Sequence, residues 1–241
     1  MLKQDAITPL YVQLMEELET SIRNGVYKPG DKIMTEDEMA KEYGVSLITV
    51  RKAVGSLMEK GLVVRKQGKG TFVTKPKYSR NMKKLQSFTE MCEQMGVKPG
   101  AQVLENRLIM ADKKVADRLG IEPGSNVVYI SRLRLADGEP VQVEKSYFPL
   151  KYAFLLEEDL NNGSMFECLK EKAGAKVASS EKMIELCRAT AEEAALMDVK
   201  KGDYLLFVKS TAYDENGEPM YAGIQLINGD RFSLYVYESG K

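Results

Sequence analysis

Histidine is absent from this 241-residue sequence, and cysteine occurs only three times. Without histidine the chain holds no Ser-His-Asp or Cys-His catalytic unit and no His-ligated metal site. Cys92, Cys168 and Cys187 stand far apart with no C-x-x-C spacing. They read as reduced, mostly buried thiols, which argues against metal or redox chemistry and against a bound cofactor. No apolar run approaches the ~18 residues that span a bilayer. The opening Met1–Asp5 lacks the apolar core of a signal peptide, so the expected location is the cytoplasm. Excess charge is missing too, with 35 Lys+Arg against 35 Asp+Glu, and a 44% hydrophobic content excludes a disordered chain. At roughly 100–200 residues per domain, the length suits one large domain or two modest ones.

The zero net charge conceals an asymmetry. Residues 1–84 carry 16 basic and 10 acidic side chains, and the remainder reverses the balance with 19 and 25. Between Val45 and Lys84 the only acidic residue is Glu59. A charge run is usually a solvated face, but this one lies on a recognisable helix and hairpin, as phosphate-backbone binding requires. Thr8-Pro9 is expected to open a first helix, with Thr8 as N-cap, and Leu10, Leu14, Leu18 and Ile22 then recur at helical spacing. Thr35-Glu36-Asp37-Glu38 has the form of a capping box and starts a short second helix. Gly44 supplies a turn, Ser46 caps a third helix, and Val50, Ala53, Val54 and Leu57 form its inner face. This is the helix-turn-helix pattern, with Leu47, Ile48, Arg51 and Lys52 facing outward near the start of the recognition helix. Leu62–Val73 reads as two strands around Gly68-Lys69-Gly70. The glycines serve hairpin geometry, close backbone approach to DNA, or both.

Pro9-Leu10-Tyr11, Gly25–Asp31, Gly44-Val45-Ser46, Thr49-Val50-Arg51 and Gly68–Val73 resemble the winged helix-turn-helix domain of GntR-family bacterial regulators. The resemblance implies binding to double-stranded operator DNA. The residues expected at the DNA are Thr35, Ser46, Leu47, Thr49, Arg51, Lys52, Arg65, Lys66, Gly68, Lys69 and Gly70. Two positions where the family usually places DNA-contacting arginines hold Asp37 and Leu47 here, and Arg51 is retained.

Residues 1–74 are therefore expected to form the DNA-binding domain, 75–84 a basic linker and 85–241 a second domain. Ser87-Phe88-Thr89-Glu90 has the form of another capping box. A weak internal repeat follows: Ala116, Leu119, Gly124, Val127 and Ile130 have counterparts 78 residues later, and the Asp137-Gly138-Glu139-Pro140 turn has one 79 later at Asn216–Pro219. Each copy reads as a helix and a hairpin, and two copies predict an antiparallel sheet with helices on one face, an α+β fold. Alternation along Val128–Leu135 puts Arg132 and Arg134 on one face. Such a pair is either a solvated sheet face or an anion site, and Glu144 on the next strand either neutralises it or accepts from ligand hydroxyls.

Arg132–Pro140 with Glu144 and Tyr147-Phe148-Pro149 resembles the effector-binding UTRA domain of the HutC subfamily, whose fold is similar to chorismate lyase. In members that sense sugar phosphates, the resemblance implies that the anion is held by the matches to Ser87, Phe88, Thr89, Arg132, Arg134 and Ser164. The match to Glu144 then meets the polar body of the ligand. Phe166 stands where a tyrosine is common, and Ile227 where a tyrosine often precedes the Gly-Asp-Arg stretch, which favours a more apolar pocket or a smaller ligand. The expected protein is a homodimeric repressor of a catabolic or transport operon, controlled by a small anionic metabolite such as a sugar phosphate. The competing expectations are a constitutive DNA-binding dimer with a non-binding second domain, and a lyase-like enzyme fused to a DNA-binding module.

Overall fold

A computed structural model describes residues 7–66, 68–75, 77–161 and 163–239; Met1–Asp5, Gln67 and Pro76, which entered the sequence analysis, lie outside them. The chain divides into two compact units, Met1–Pro76 and Lys77–Lys241.

The first unit contains helices α1 (Leu10–Arg23), α2 (Glu36–Tyr43) and α3 (Leu47–Glu59), then strands β1 (Val63–Lys66) and β2 (Gly70–Val73). Helix α1 starts one residue later than expected. Pro9 is extended (ψ 143°) and is itself the N-cap, while Thr8 caps nothing with its side chain. Gln13 Nε2 donates to the Thr8 carbonyl at 2.8 Å. The α2 capping box is present, with Thr35 N donating to Glu38 Oε2 at 2.7 Å and Glu38 N to Thr35 Oγ1 at 3.3 Å. Gly44 adopts φ 64°, the left-handed turn that separates α2 from α3. Leu14 and Leu18 of α1, Met39 of α2 and Val50, Ala53, Val54 and Leu57 of α3 close one core with Val63 and Val73. Backbone from Asp31 to Ile33 pairs with β2 (Val73 N to Asp31 O, 2.8 Å; Ile33 N to Thr71 O, 2.9 Å), so the hairpin becomes a three-stranded wing.

The second unit is built on a six-stranded antiparallel sheet. Its strands are β4 (Pro99–Met110), β5 (Asn126–Ala136), β6 (Glu139–Pro149), β7 (Ser179–Arg188), β8 (Tyr204–Tyr213) and β9 (Pro219–Asn228), in the order β4-β5-β6-β9-β8-β7. Helices α5 (Lys113–Leu119) and α7 (Ala191–Met197) each follow the first strand of a strand-helix-strand-strand unit. The repeat is therefore structural and one strand longer than its sequence trace, and the two copies meet at β6 and β9. The first hairpin turns on Asp137 (φ 52°) and Gly138 (φ 78°), the paired left-handed residues of a two-residue turn. The second is wider and is held by Asp214, whose side chain accepts from Asn216 N and Glu218 N at 2.9 Å each.

Helices on one face only was an incomplete expectation. Helices α5 and α7 cover one face, packing on Val127 and Ala222 and on Leu133, Val143 and Leu226. The other face is covered as well, because its strand residues are equally apolar at both ends. Helix α4 (Phe88–Gln94) packs on Val208 and Ile227, and α6 (Met165–Ala173), with a 3-10 stretch over 150–156, packs on Val128, Ile130 and Phe148. The expected linker also contains a strand, β3 (Tyr78–Asn81), paired in parallel with β10 (Phe232–Tyr235). Tyr78 and Phe232 pack ring to ring at 5.2 Å, an apolar anchor within an otherwise polar stretch.

Arg118 of α5 fastens β8 to β9, its guanidinium donating to Thr211 Oγ1 (3.2 Å), to the Gly223 carbonyl (2.9 Å) and to the Ser210 carbonyl. Arg118→Met leaves these acceptors without their charged donor, and urea unfolding is expected to report a loss of about 2–3 kcal/mol.

Candidate functional site

Strand register arranges the α4/α6 face of the sheet in rows. Arg132 pairs with Glu144 and Glu144 with Gln225 across β5, β6 and β9. The neighbouring row runs Ser146, Gly223, Ser210 and Lys182 from β6 to β7. These two rows form a polar band between two apolar clusters, and a cleft partly open to solvent lies over it.

All eight residues expected around an effector line this cleft: Ser87, Phe88 and Thr89 from the start of α4, Arg132 and Arg134 from β5, Glu144 from β6, and Ser164 and Phe166 from the start of α6. The solvated-face reading of the arginine pair is excluded, because Arg132 and Arg134 are 3% and 2% exposed. Arg132 Nη2 meets Glu144 Oε1 at 2.7 Å. Arg134 lies 4.5 Å over the Phe88 ring and donates to Thr89 Oγ1 at 3.3 Å. Ser87 and Ser164 cap α4 and α6 through Glu90 N and Glu167 N. Burial would raise the Glu144 carboxyl, but Arg132, Arg134 and Arg80 together overcome it and hold it below the usual carboxylate range. Burial pushes Arg134 down to about 10, with Arg132 adding to the effect and Glu144 opposing it.

The donors are not exhausted. Arg132 Nε, Arg134 Nε and Arg134 Nη1 are buried without a hydrogen-bond partner, and so is the acceptor Gln86 Oε1 on the cleft wall. Unpartnered buried guanidinium nitrogens are costly, and an anion would satisfy them. The floor is kept open by Gly223, where a Cβ would stand 2.9 Å from Ser210 Oγ and 3.3 Å from the Tyr221 ring.

Among the lining residues that were not anticipated, three carry polar groups from unexpected places. Tyr221 packs tilted between Phe148 (5.2 Å) and Phe166 (6.1 Å), and burial pushes its phenol well above the usual range. Gln225 accepts from Arg80 Nη1 at 3.2 Å, and Arg80 comes from β3, inside the expected linker. The repeat held a signal for two of them, since Tyr221 and Gln225 lie 79 residues after Gln142 and Ser146. Of the cysteines, Cys92 is buried as expected, and burial pushes its thiol up to about 11, whereas Cys168 and Cys187 are half-buried on partly covered surfaces. Among the described residues no cluster suited to a metal ion occurs.

In the first unit, Leu47 and Ile48 project from the start of α3 at 38% and 77% exposure. Arg51 Nε bonds Glu36 Oε2 at 2.7 Å, and Arg65 of β1 reaches the other oxygen of the same carboxylate. Glu36 thus ties recognition helix to wing, a role hidden behind its reading as a first-turn helix residue. Lys52 Nζ rests 3.9 Å above the Tyr11 ring and Lys66 Nζ 5.4 Å from that of Phe72. Thr35 and Ser46 are helix caps, and Thr49 Oγ1 lies 2.9 Å from Ser46 Oγ. Gly68 (φ 73°) and Gly70 (φ 121°) flank Lys69 at the wing tip.

A winged helix with an exposed basic recognition face, and a second unit enclosing a polar cleft, define a ligand-responsive DNA-binding regulator. Residues 10–73 match the bacterial regulatory proteins of the gntR family, and residues 94–233 match the UTRA domain. The chain is 35% identical over 237 residues to the uncharacterized HTH-type transcriptional regulator YurK of Bacillus subtilis, covering 98% of each. It is 34% identical over 235 residues to the HTH-type transcriptional repressor NagR of the same organism, covering 98% of this chain and 96% of that one. The crystal structure of PhnF from Mycobacterium smegmatis superposes with a TM-score of 0.68 at 25% identity, covering 94% of this chain and 99% of the other. The chain belongs to the GntR family, in its UTRA-containing branch, and is a transcriptional regulator rather than an enzyme. Among the described residues no helix is long and apolar enough to cross a membrane.

Lys182, next to Ser210 on the same sheet face, has its ammonium pushed from 10.5 down to about 8 by burial and by Arg80. The unfolded chain therefore binds more protons than the folded one between those values, and stability gains from deprotonation as pH rises through that window. Lys182→Met is expected to raise the melting temperature at pH 7, with the advantage over the parent protein shrinking from pH 8 and gone above pH 10.5. Thermal unfolding across that range measures it.

Proposed function

We propose that this protein is a cytoplasmic homodimer that represses a catabolic or transport operon and that a small anionic metabolite, such as a phosphorylated sugar, alters its hold on DNA by binding in the UTRA cleft. The observation that carries this reading is the convergence of eight anticipated residues on one cleft whose buried arginines retain unpartnered donors. Arg132, Arg134 and Thr89 take the anion, Ser87 and Ser164 fix the helix ends beside it, and Glu144, held by Arg132, accepts from ligand hydroxyls. Phe88 and Phe166 exclude water from the two sides. Such a ligand regulates only through its differential affinity for two states of the dimer. Two-fold symmetry of the dimer matches a palindromic operator.

At the DNA, Leu47 and Arg51 of α3 face the major groove beside Ile48, and Lys52, Arg65, Lys66 and Lys69 meet phosphates. The hydroxyls of Thr35, Ser46 and Thr49 and the backbone at Gly68 and Gly70 approach the sugar-phosphate chain. Glu36 sets the geometry of Arg51 and Arg65 while cancelling part of their charge.

A thermal-unfolding panel of sugar phosphates, aminosugar phosphates and small carboxylic acids tests the cleft. A ligand at 100 times its dissociation constant stabilises by about 2.7 kcal/mol, a shift of a few degrees. The shift is expected to vanish in an Arg132→Gln/Arg134→Gln double variant that still binds a duplex selected by the parent protein. No shift with any compound supports the constitutive DNA-binding reading instead. On the DNA side, Arg51→Ala is expected to cost about 1–3 kcal/mol on that selected duplex and little on random duplex. Glu36→Gln should do the opposite to the background, tightening random-duplex binding and lowering the specificity ratio in a fluorescence-anisotropy titration.

A further inference from the structure

The positive charge of the cleft sits in two places rather than one. Arg134 stands at one end, against Phe88 and Thr89. Arg80 stands at the other, where its Nη1 donates to the neutral side chain of Gln225, and among the described residues no carboxylate lies within 4 Å of it. Between them Arg132 Nη2 meets Glu144 Oε1 at 2.7 Å. Lys182 adds a further positive charge on the Arg80 side, close enough for the two cations to repel. Arg134 roots on β5 and Gln225 on β9, two strand spacings apart, or about 10 Å. The row between them carries small or hydroxyl-bearing residues, Ser146, Gly223 and Ser210, with the Tyr221 phenol beside it.

We propose that the cleft contains a second anion subsite at Arg80 and Gln225, so that its ligand is charged at both ends: a phosphate monoester at Arg134 and Thr89, and a carboxylate at Arg80, joined by a short hydroxylated carbon chain lying over Ser146 and Ser210. This rests on the reading of the cleft as the effector site and narrows its ligand class. The guanidinium fork of Arg80 suits a carboxylate, and the open donors of Arg134 suit the more highly charged phosphate.

Isothermal titration calorimetry of the full chain with two probes tests it. 6-Phosphogluconate and sorbitol 6-phosphate are six-carbon open chains that differ at one end, carboxylate against hydroxymethyl. The parent protein is expected to bind 6-phosphogluconate at least about tenfold more tightly, as one added charge-assisted pair implies. Arg80→Gln should bring that ratio to within about twofold, while Arg80→Lys retains part of it; circular dichroism and the ligand-free melting temperature verify that both variants fold. Equal affinity of the parent protein for the two probes overturns the second subsite and leaves the single-anion cleft standing. A preference that survives in Arg80→Gln overturns the assignment to Arg80. No binding of either probe by the parent protein overturns the reading of the cleft as a phosphate site, and this inference with it.

Discussion

The Arg132–Glu144 ion pair fixes the middle of the effector unit. Both partners are largely withdrawn from water, at 3% and 13% side-chain exposure, on adjacent strands in direct register. A buried pair of this kind adds little net stability, because desolvating the charges offsets their attraction. Breaking it is another matter, since removal of one partner strands the other and costs about 3–5 kcal/mol. The pair therefore fixes where polar side chains can stand on this face. Apolar clusters close above and below it, and α4, α6 and the β3–β10 ribbon roof the band that remains. Its charge balance also matters, since Glu144 is a single carboxylate facing Arg132, Arg134 and Arg80, so the cleft keeps an excess of positive charge.

Much of this was legible because it is local. Alternation along β5 placed Arg132 and Arg134 on the same face as one another, and the capping box at Ser87–Glu90 located the start of α4. The helix-turn-helix was equally clear, since capping residues, a left-handed glycine and a 3.6-residue apolar stripe all act within a few residues. What escaped was non-local. Arg80 lies in a stretch whose composition is that of a linker, and it becomes a strand only because Phe232–Tyr235, some 150 residues later, lies parallel to it. Parallel pairing leaves no hairpin signal between partners. Glu36 escaped for a related reason: its partners, Arg51 and Arg65, come from a helix and a strand that only the folded unit brings together. The start of α1 was misjudged by one residue because Pro9 is extended (ψ 143°) rather than helical, which moves the cap from Thr8 to Pro9 itself.

The duplication explains the division of labour within the cleft. Arg132, Glu144 and Ser146 of the first copy and Ser210, Gly223 and Gln225 of the second occupy equivalent sequence positions, and all six line the cleft. The cleft therefore lies across the seam where β6 meets β9, and each copy supplies the same three sites. Had both copies kept the charged set, two arginines and two carboxylates would crowd the floor, each needing its own desolvated partner. The second copy instead provides a hydroxyl, a glycine and an amide, which leaves room above the sheet and keeps only one ion pair to satisfy. The Gly223 position makes the point in steric form. Any side chain there meets Ser210 Oγ at 2.9 Å, so the volume the first copy spends on a carboxylate is the volume the second leaves for a ligand. One half of a symmetric sheet supplies charge and the other supplies space, and a binding cleft arises from a repeat that, kept identical, would have filled itself.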